Sequence, residues 1–238
     1  VEPIPSCVAP TDLSASASSF TEATLSWIGN DGAESYEVVV QAPGSGFPTE
    51  AGTVVTETSL DVTDLTPNTT YEFYVRADCG AEDGLSNWSG PLEFYMGYCE
   101  SVPSSNDGQG ITQVVLNSTT FTSAGDVTYE DFTSPTVDVS QSIVAELYIS
   151  FATGYTYNTN IWVDFNNDLV FDNDTELLFS GESLNTNPTI FDASFLMPDA
   201  PLGVYNMRIG TADSGQFNPN PCYNGSWGVT VDMTINVV

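Results

Sequence analysis

Between residues 143 and 151 the apolar side chains occupy every second position: Ile143, Ala145, Leu147, Ile149 and Phe151. Val229, Val231, Met233, Ile235 and Val237 repeat the pattern. Period two belongs to a strand with one face on a core. No stretch sustains the longer repeat of an amphipathic helix. Short β-branched and aromatic runs are separated by Gly, Pro, Asn and Asp. This punctuation predicts an all-β chain made of sandwiches. The 238 residues allow one large domain or two small ones. With 41% hydrophobic residues, 12% of the chain being aromatic, two small cores can be filled.

The charge inventory excludes whole classes of function. Asp plus Glu number 32, Lys plus Arg number 2, and there is no His, for a formal net charge of −30. The two cations are Arg76 and Arg208. Such a chain cannot neutralise a phosphate backbone, so nucleic acid is excluded as a partner. Anionic lipid would repel it. Without His or Lys, triad, His-zinc and Schiff-base chemistries have no residues to use. Paired carboxylates could in principle hydrolyse glycosides. With 32 acids, close pairs are inevitable, and none is marked as special. Enzyme activity is therefore not expected. Residues 1–97 hold 15 acids and Arg76, and residues 98–238 hold 17 acids and Arg208, so both halves are equally acidic.

Four cysteines, Cys7, Cys79, Cys99 and Cys222, are widely spaced, with no Cys-x-x-Cys pair. They suggest disulfides and an oxidising compartment. Three pairings are open. The sequential one, Cys7 with Cys79 and Cys99 with Cys222, gives one bridge per domain if a boundary lies near residue 98. No apolar run approaches the ~20 residues that span a bilayer, so membrane insertion is not expected. The chain begins at Val1 and shows no signal peptide, as expected of a mature protein or an excised piece of a larger secreted one. The sequons at Asn68, Asn117 and Asn224 carry little weight in a chain rich in Asn, Ser and Thr.

Two resemblances follow the chain. The run Ala23-Thr24-Leu25-Ser26-Trp27, then Tyr36-Glu37-Val38-Val39-Val40, then Leu65-Thr66-Pro67 and Tyr71-Glu72-Phe73-Tyr74-Val75-Arg76-Ala77 resembles a fibronectin type III domain over residues 1–97. The resemblance makes Trp27 the core tryptophan and Tyr71 the tyrosine of the corner after Pro67. Secreted bacterial versions often carry cysteines where Cys7 and Cys79 stand. No Arg-Gly-Asp motif is present. Residues 98–238 resemble the GEVED domain of secreted and cell-surface proteins of Bacteroidota-type bacteria. The matching residues are Tyr98-Cys99, Tyr129-Glu130-Asp131-Phe132, Ile161-Trp162-Val163-Asp164-Phe165-Asn166-Asn167-Asp168, Phe195-Leu196-Met197-Pro198 and Gly203 to Ile209. The name-giving acidic stretch falls on Gly228-Val229-Thr230-Val231-Asp232, where both glutamates are replaced. The fold these resemblances imply is two tandem β-sandwich domains.

The most chemical segment is 164–176. Asp164, Asn166, Asp168 and Asp172 fall at positions 1, 3, 5 and 9 of an EF-hand-like frame, with the Val170 carbonyl at position 7. Leu169 stands where an EF-hand needs Gly, and Glu176 is at position 13 rather than 12. Asp174 could replace a missing ligand. Five carboxylates lie within 13 residues and no cation lies among them. The segment is expected to bind Ca²⁺; an exposed Asn/Asp-rich turn is the metal-free alternative.

Aromatic residues in loops supply a second candidate. Tyr155, Tyr157, Trp162, Phe217, Tyr223 and Trp227 could form a sugar platform. The two tryptophans are expected in the core, and Tyr155, Tyr157 and Tyr223 are the candidate ligand-binding residues. The expected function is a non-catalytic, secreted or cell-surface adhesion or display module. The alternatives are a carbohydrate-binding accessory region of a secreted hydrolase or protease, and a structural filament subunit. Partners would be glycans or neighbouring protein subunits.

Overall fold

A computed structural model describes residues 7–106, 110–186 and 189–238. The chain divides into two compact units, Val1–Tyr98 and Cys99–Val238.

The first unit contains β1 (Thr11–Ser19), β2 (Glu22–Ile28), β3 (Ser35–Gln41), β4 (Thr53–Val55), β5 (Ser59–Val62), β6 (Thr70–Asp78), the one-turn α1 (Gly80–Asp83) and β7 (Ser89–Tyr95). Sheet order is β1-β2-β5 against β4-β3-β6-β7. All pairings are antiparallel. Leu25 and Trp27 from one sheet meet Tyr36, Val38, Phe73, Val75 and Ala77 from the other. Trp27 is 5% exposed and its ring meets Tyr36 edge-on at 5.5 Å. The Tyr71 hydroxyl accepts the Thr66 N–H at 3.0 Å, closing the corner after β5. Arg76 is held by Glu37 and lies 4.3 Å over the Trp88 ring.

The second unit contains β8 (Ile111–Leu116), β9 (Thr119–Thr122), β10 (Tyr129–Val139), β11 (Val144–Ala145), β12 (Leu147–Phe151), β13 (Tyr157–Asp164), β14 (Leu177–Glu182), β15 (Ile190–Asp192), β16 (Phe195–Leu196), β17 (Gly203–Asp213) and β18 (Gly228–Val237). A five-stranded sheet, β10-β18-β17-β13-β14, faces a four-stranded one, β15-β12-β8-β9, with β11 and β16 as a small extra pair. Only β10 and β18 run parallel among these described pairings. The core interleaves Ile111, Val114 and Leu116 with Leu147, Ile149, Phe151, Ile161, Val163, Met207, Ile209 and the alternate residues of β18. Those β18 residues, Val229 to Val237, are each at most 3% exposed. In the other alternating run Ile143 precedes the strand and is 59% exposed, while Ala145, Leu147, Ile149 and Phe151 are buried.

Each unit holds its own disulfide, Cys7–Cys79 and Cys99–Cys222, with Cα–Cα distances of 5.7 and 5.5 Å. The sequential pairing is the one formed. These bridges close separations of 72 and 123 residues. In the chain-entropy account each contributes about 4–5 kcal/mol.

Candidate functional site

Strand β13 departs from simple alternation. Its core face carries Tyr157, Thr159, Ile161 and Val163, yet Asn160, Trp162 and Asp164 on the opposite face are also buried. Two connections cover that outer face: the 164–176 turn and the segment leading to β18. Trp162 donates its indole N–H to Asn173 Oδ1 at 2.8 Å. Asn160 donates to the Pro219 carbonyl at 2.7 Å. Gly210 in β17 makes room: a Cβ there would stand 3.1 Å from the Trp162 ring and 3.2 Å from Pro219.

Arg208 lies at the centre of this covered face, 3% exposed. It sits directly opposite Asp232 in the β17–β18 register. Its Nε and Nη2 donate to the two Asp232 oxygens at 2.6 and 2.7 Å. Its Nη1 donates to the carbonyls of Cys99 and Pro221, each at 2.8 Å. One guanidinium thus joins both strands to both segments that carry the disulfide. Its carbon lies 5.2 Å from the centre of the Phe171 ring. The Tyr129 hydroxyl also donates to Asp232, at 2.9 Å. Burial, then the Asp232 carboxylate, pushes the Tyr129 hydroxyl well above its ordinary pKa.

The 164–176 turn begins where β13 ends. Asp164 is fully buried and accepts the N–H groups of Asp168 and Leu169 at 3.3 and 3.0 Å. Asn166 donates to Asp168 Oδ2 at 2.9 Å, and Asp168 Oδ1 accepts the Val170 N–H at 2.9 Å. Glu176, 3% exposed, reaches back to accept the N–H groups of Phe165 and Asp172 at 3.0 and 2.9 Å. Leu169 takes a left-handed φ of 64° and Asn167 one of 57°. Burial, then the charge of Asp164, raises the Glu176 pKa. Two carboxylates of one turn are therefore held out of water. The donors nearby are all oxygens, the set that hard Ca²⁺ prefers.

The rest of the predicted ligand set is divided. Asp172 Oδ1 accepts from the backbone of Asp174 and Thr175 and from the Thr175 hydroxyl, at 2.7, 2.9 and 3.0 Å. These bonds lower its pKa. Asp172 and Asp174 are exposed, and Val170 is 59% exposed. Among the described residues no three carboxylates converge as a metal cluster.

The predicted sugar platform is not assembled from Tyr155, Tyr157 and Tyr223. Tyr155 is 51% exposed, but Tyr157 and Tyr223 are each 3% exposed and present no free ring face. Tyr157 stacks on Phe151 at 3.8 Å. The Tyr223 hydroxyl donates to the Ser226 carbonyl at 2.8 Å. Trp162 is buried as expected, while Trp227 is 40% exposed. At Trp227 a φ of 51° interrupts the entry to β18.

Residues 8–95 match the family model of the fibronectin type III domain, and residues 158–236 match that of the GEVED domain. The chain carries a fibronectin type III domain followed by a GEVED domain. Both are non-catalytic domain types. Among solved structures, the FN5 domain of Drosophila Lar is 25% identical, covering 37% of this chain and 95% of its own, with a TM-score of 0.31. The fn3 domain of the human collagen alpha-1(XX) chain is 23% identical, covering 44% and 99%, with a TM-score of 0.32. No curated protein matches the chain.

The GEVED match spans the strands and turn just described. Within the stretch that gives the domain its name, Val229 and Val231 point into the sandwich core, 3% and 0% exposed. Apolar residues at those two positions add to the core. Asp232, the acid retained, is the partner of Arg208. This ion pair is not legible in local spacing because 24 residues separate its members. The signal available was that Arg208 is the only cation of residues 98–238.

Proposed function

We infer that this chain is a non-catalytic extracellular module for adhesion or surface display. The observation that carries the reading is the pairing of two non-catalytic module types, each closed by its own disulfide. Disulfides persist where thiols are oxidised. No helix of the described residues is long and apolar enough to cross a membrane. Beads coated with the full chain test the reading on cell layers, matrix-protein films and polysaccharide films. Retention on one class of surface is expected; retention on none overturns it.

The GEVED domain is further proposed to take Ca²⁺ in the 164–176 turn, through Asp164, Asn166, Asp168, the Val170 carbonyl and Glu176. Two buried carboxylates with oxygen neighbours and no base in the turn support this. The ion would neutralise them and fix the turn against β13. Chelation is expected to lower the melting temperature, and added Ca²⁺ to restore it. An unchanged melting temperature with no Ca²⁺ uptake by calorimetry would sink the proposal.

A further inference from the structure

Three exposed aromatic side chains, Tyr155 at 51%, Phe217 at 87% and Trp227 at 40%, stand on chain segments that meet at one end of the GEVED domain. Backbone bonds draw their segments together around Asp213. Ser214 N–H donates to the Thr156 carbonyl at 2.9 Å, Asp213 N–H to the Trp227 carbonyl at 3.0 Å, and Gln216 N–H to the Asp213 carbonyl at 2.8 Å. Trp227 is a bulky residue held in the left-handed region, at φ 51°. That conformation is a rare and costly one for such a side chain, and such strain clusters at ligand sites. The turn beneath it is stiffened from both sides. The Tyr223 hydroxyl bonds Ser226, and Gly228 N–H donates to the Ser105 carbonyl at 3.0 Å.

The composition of this end differs from that of the chain. Residues 152–163 and 214–231 contain no Asp, Glu, Lys or Arg, in a protein of net charge −30. Along the same stretch of chain, Ser214, Asn218, Asn220, Asn224 and Ser226 are exposed. The contributing segments 152–156, 213–218 and 224–227 hold no Leu, Ile, Val, Met or Arg.

We propose that Tyr155, Phe217 and Trp227 form a binding surface for a neutral oligosaccharide. This rests on the adhesion reading and names its ligand class. Flat rings cover the C–H faces of pyranose units, and adjacent amides and hydroxyls exchange hydrogen bonds with sugar hydroxyls. Asp213 is the one carboxylate in these segments, and an uncharged glycan is not repelled by it. The surrounding acids repel uronic or sulfated ones. A protein partner is disfavoured because interface anchors are typically Trp and Tyr joined by Arg, and Arg is absent.

The test titrates the full chain with gluco-, manno-, galacto- and xylo-hexaose, with polygalacturonate as the anionic control, following tryptophan fluorescence and heat. Saturable binding of at least one neutral hexaose is expected. Tyr155→Ala and Phe217→Ala should each weaken it by about tenfold or more. Trp227→Asn should abolish binding while the fold persists by circular dichroism, since Asn tolerates the left-handed region. Phe47→Ala, at a 70% exposed ring of the first unit, should change nothing. The proposal is overturned if no neutral hexaose saturates, if only polygalacturonate binds, or if the three variants bind as the parent does. Beads that adhere while every hexaose fails remove this inference and leave the adhesion reading standing. Adhesion lost in Phe217→Ala and destroyed by protease treatment of the target surface assigns the patch to a protein, and also overturns it.

Discussion

Arg208 and Arg76, each bound to one carboxylate, are expected to answer mutation very differently. Arg208 is buried and its guanidinium forms a fork on Asp232. Asp232→Ala would leave that cation uncompensated out of water, at a cost of about 3–5 kcal/mol. The Arg76 side chain is 26% exposed, so breaking its pair with Glu37 should cost about 1 kcal/mol or less. Urea denaturation of Asp232→Ala and Glu37→Ala reads the difference. Glu176 predicts a pH effect of unusual sign. Its folded pKa lies above the ordinary 4.5, so folding favours its protonated form. Without metal, stability should fall as pH rises from 4.5 through the folded value. Asp172 acts oppositely: its folded pKa lies below the ordinary 3.8, and its contribution is lost as pH falls through that lower value. Melting curves in chelator should therefore decline on the neutral side, and Glu176→Gln should flatten that decline. A neutral-side slope unchanged in the variant refutes the assignment to Glu176.

The 164–176 turn shows how an element accommodates a residue that its backbone does not favour. An EF-hand has Gly at the sharp bend, and here Leu169 takes the left-handed conformation instead. That costs about 1–2 kcal/mol. Its side chain is 6% exposed, and burying a leucine contributes about 1.5–3 kcal/mol. Glycine would relieve the strain but lose the burial, and it would also loosen the unfolded chain by about 0.5–1 kcal/mol. Leu169→Gly is thus expected to destabilise by about 1–2 kcal/mol, measured by thermal melting; a stabilised variant would show the backbone term dominating. Strand β13 makes the complementary point. Trp162 and Asp164 are buried on the side that period two assigns to solvent, because connections distant in sequence lie over it.

For the whole molecule, two small cores carry a charge of −30, which repels itself at low ionic strength. The disulfides offset part of that burden. A Cys99→Ser, Cys222→Ser double variant should lose about 4–5 kcal/mol of stability, and salt should recover some of the loss by screening. A variant as stable as the parent would mean that Arg208 alone holds those segments. Several features were legible in sequence. Alternation marked β12 and β18, the Trp27 and Tyr71 positions were recognisable, and equal acidity of the halves followed from counting. These depend on local period or on residue identity, which a chain displays directly. Tertiary structure decided the rest. It placed Asp232 against Arg208, buried Tyr157 and Tyr223, and turned Trp227 and Phe217 outward. It also left Asp172 and Asp174 exposed while burying Asp164 and Glu176. Which carboxylate meets a cation, and which ring meets water, depends on what loops far along the chain cover, and period two carries no record of that.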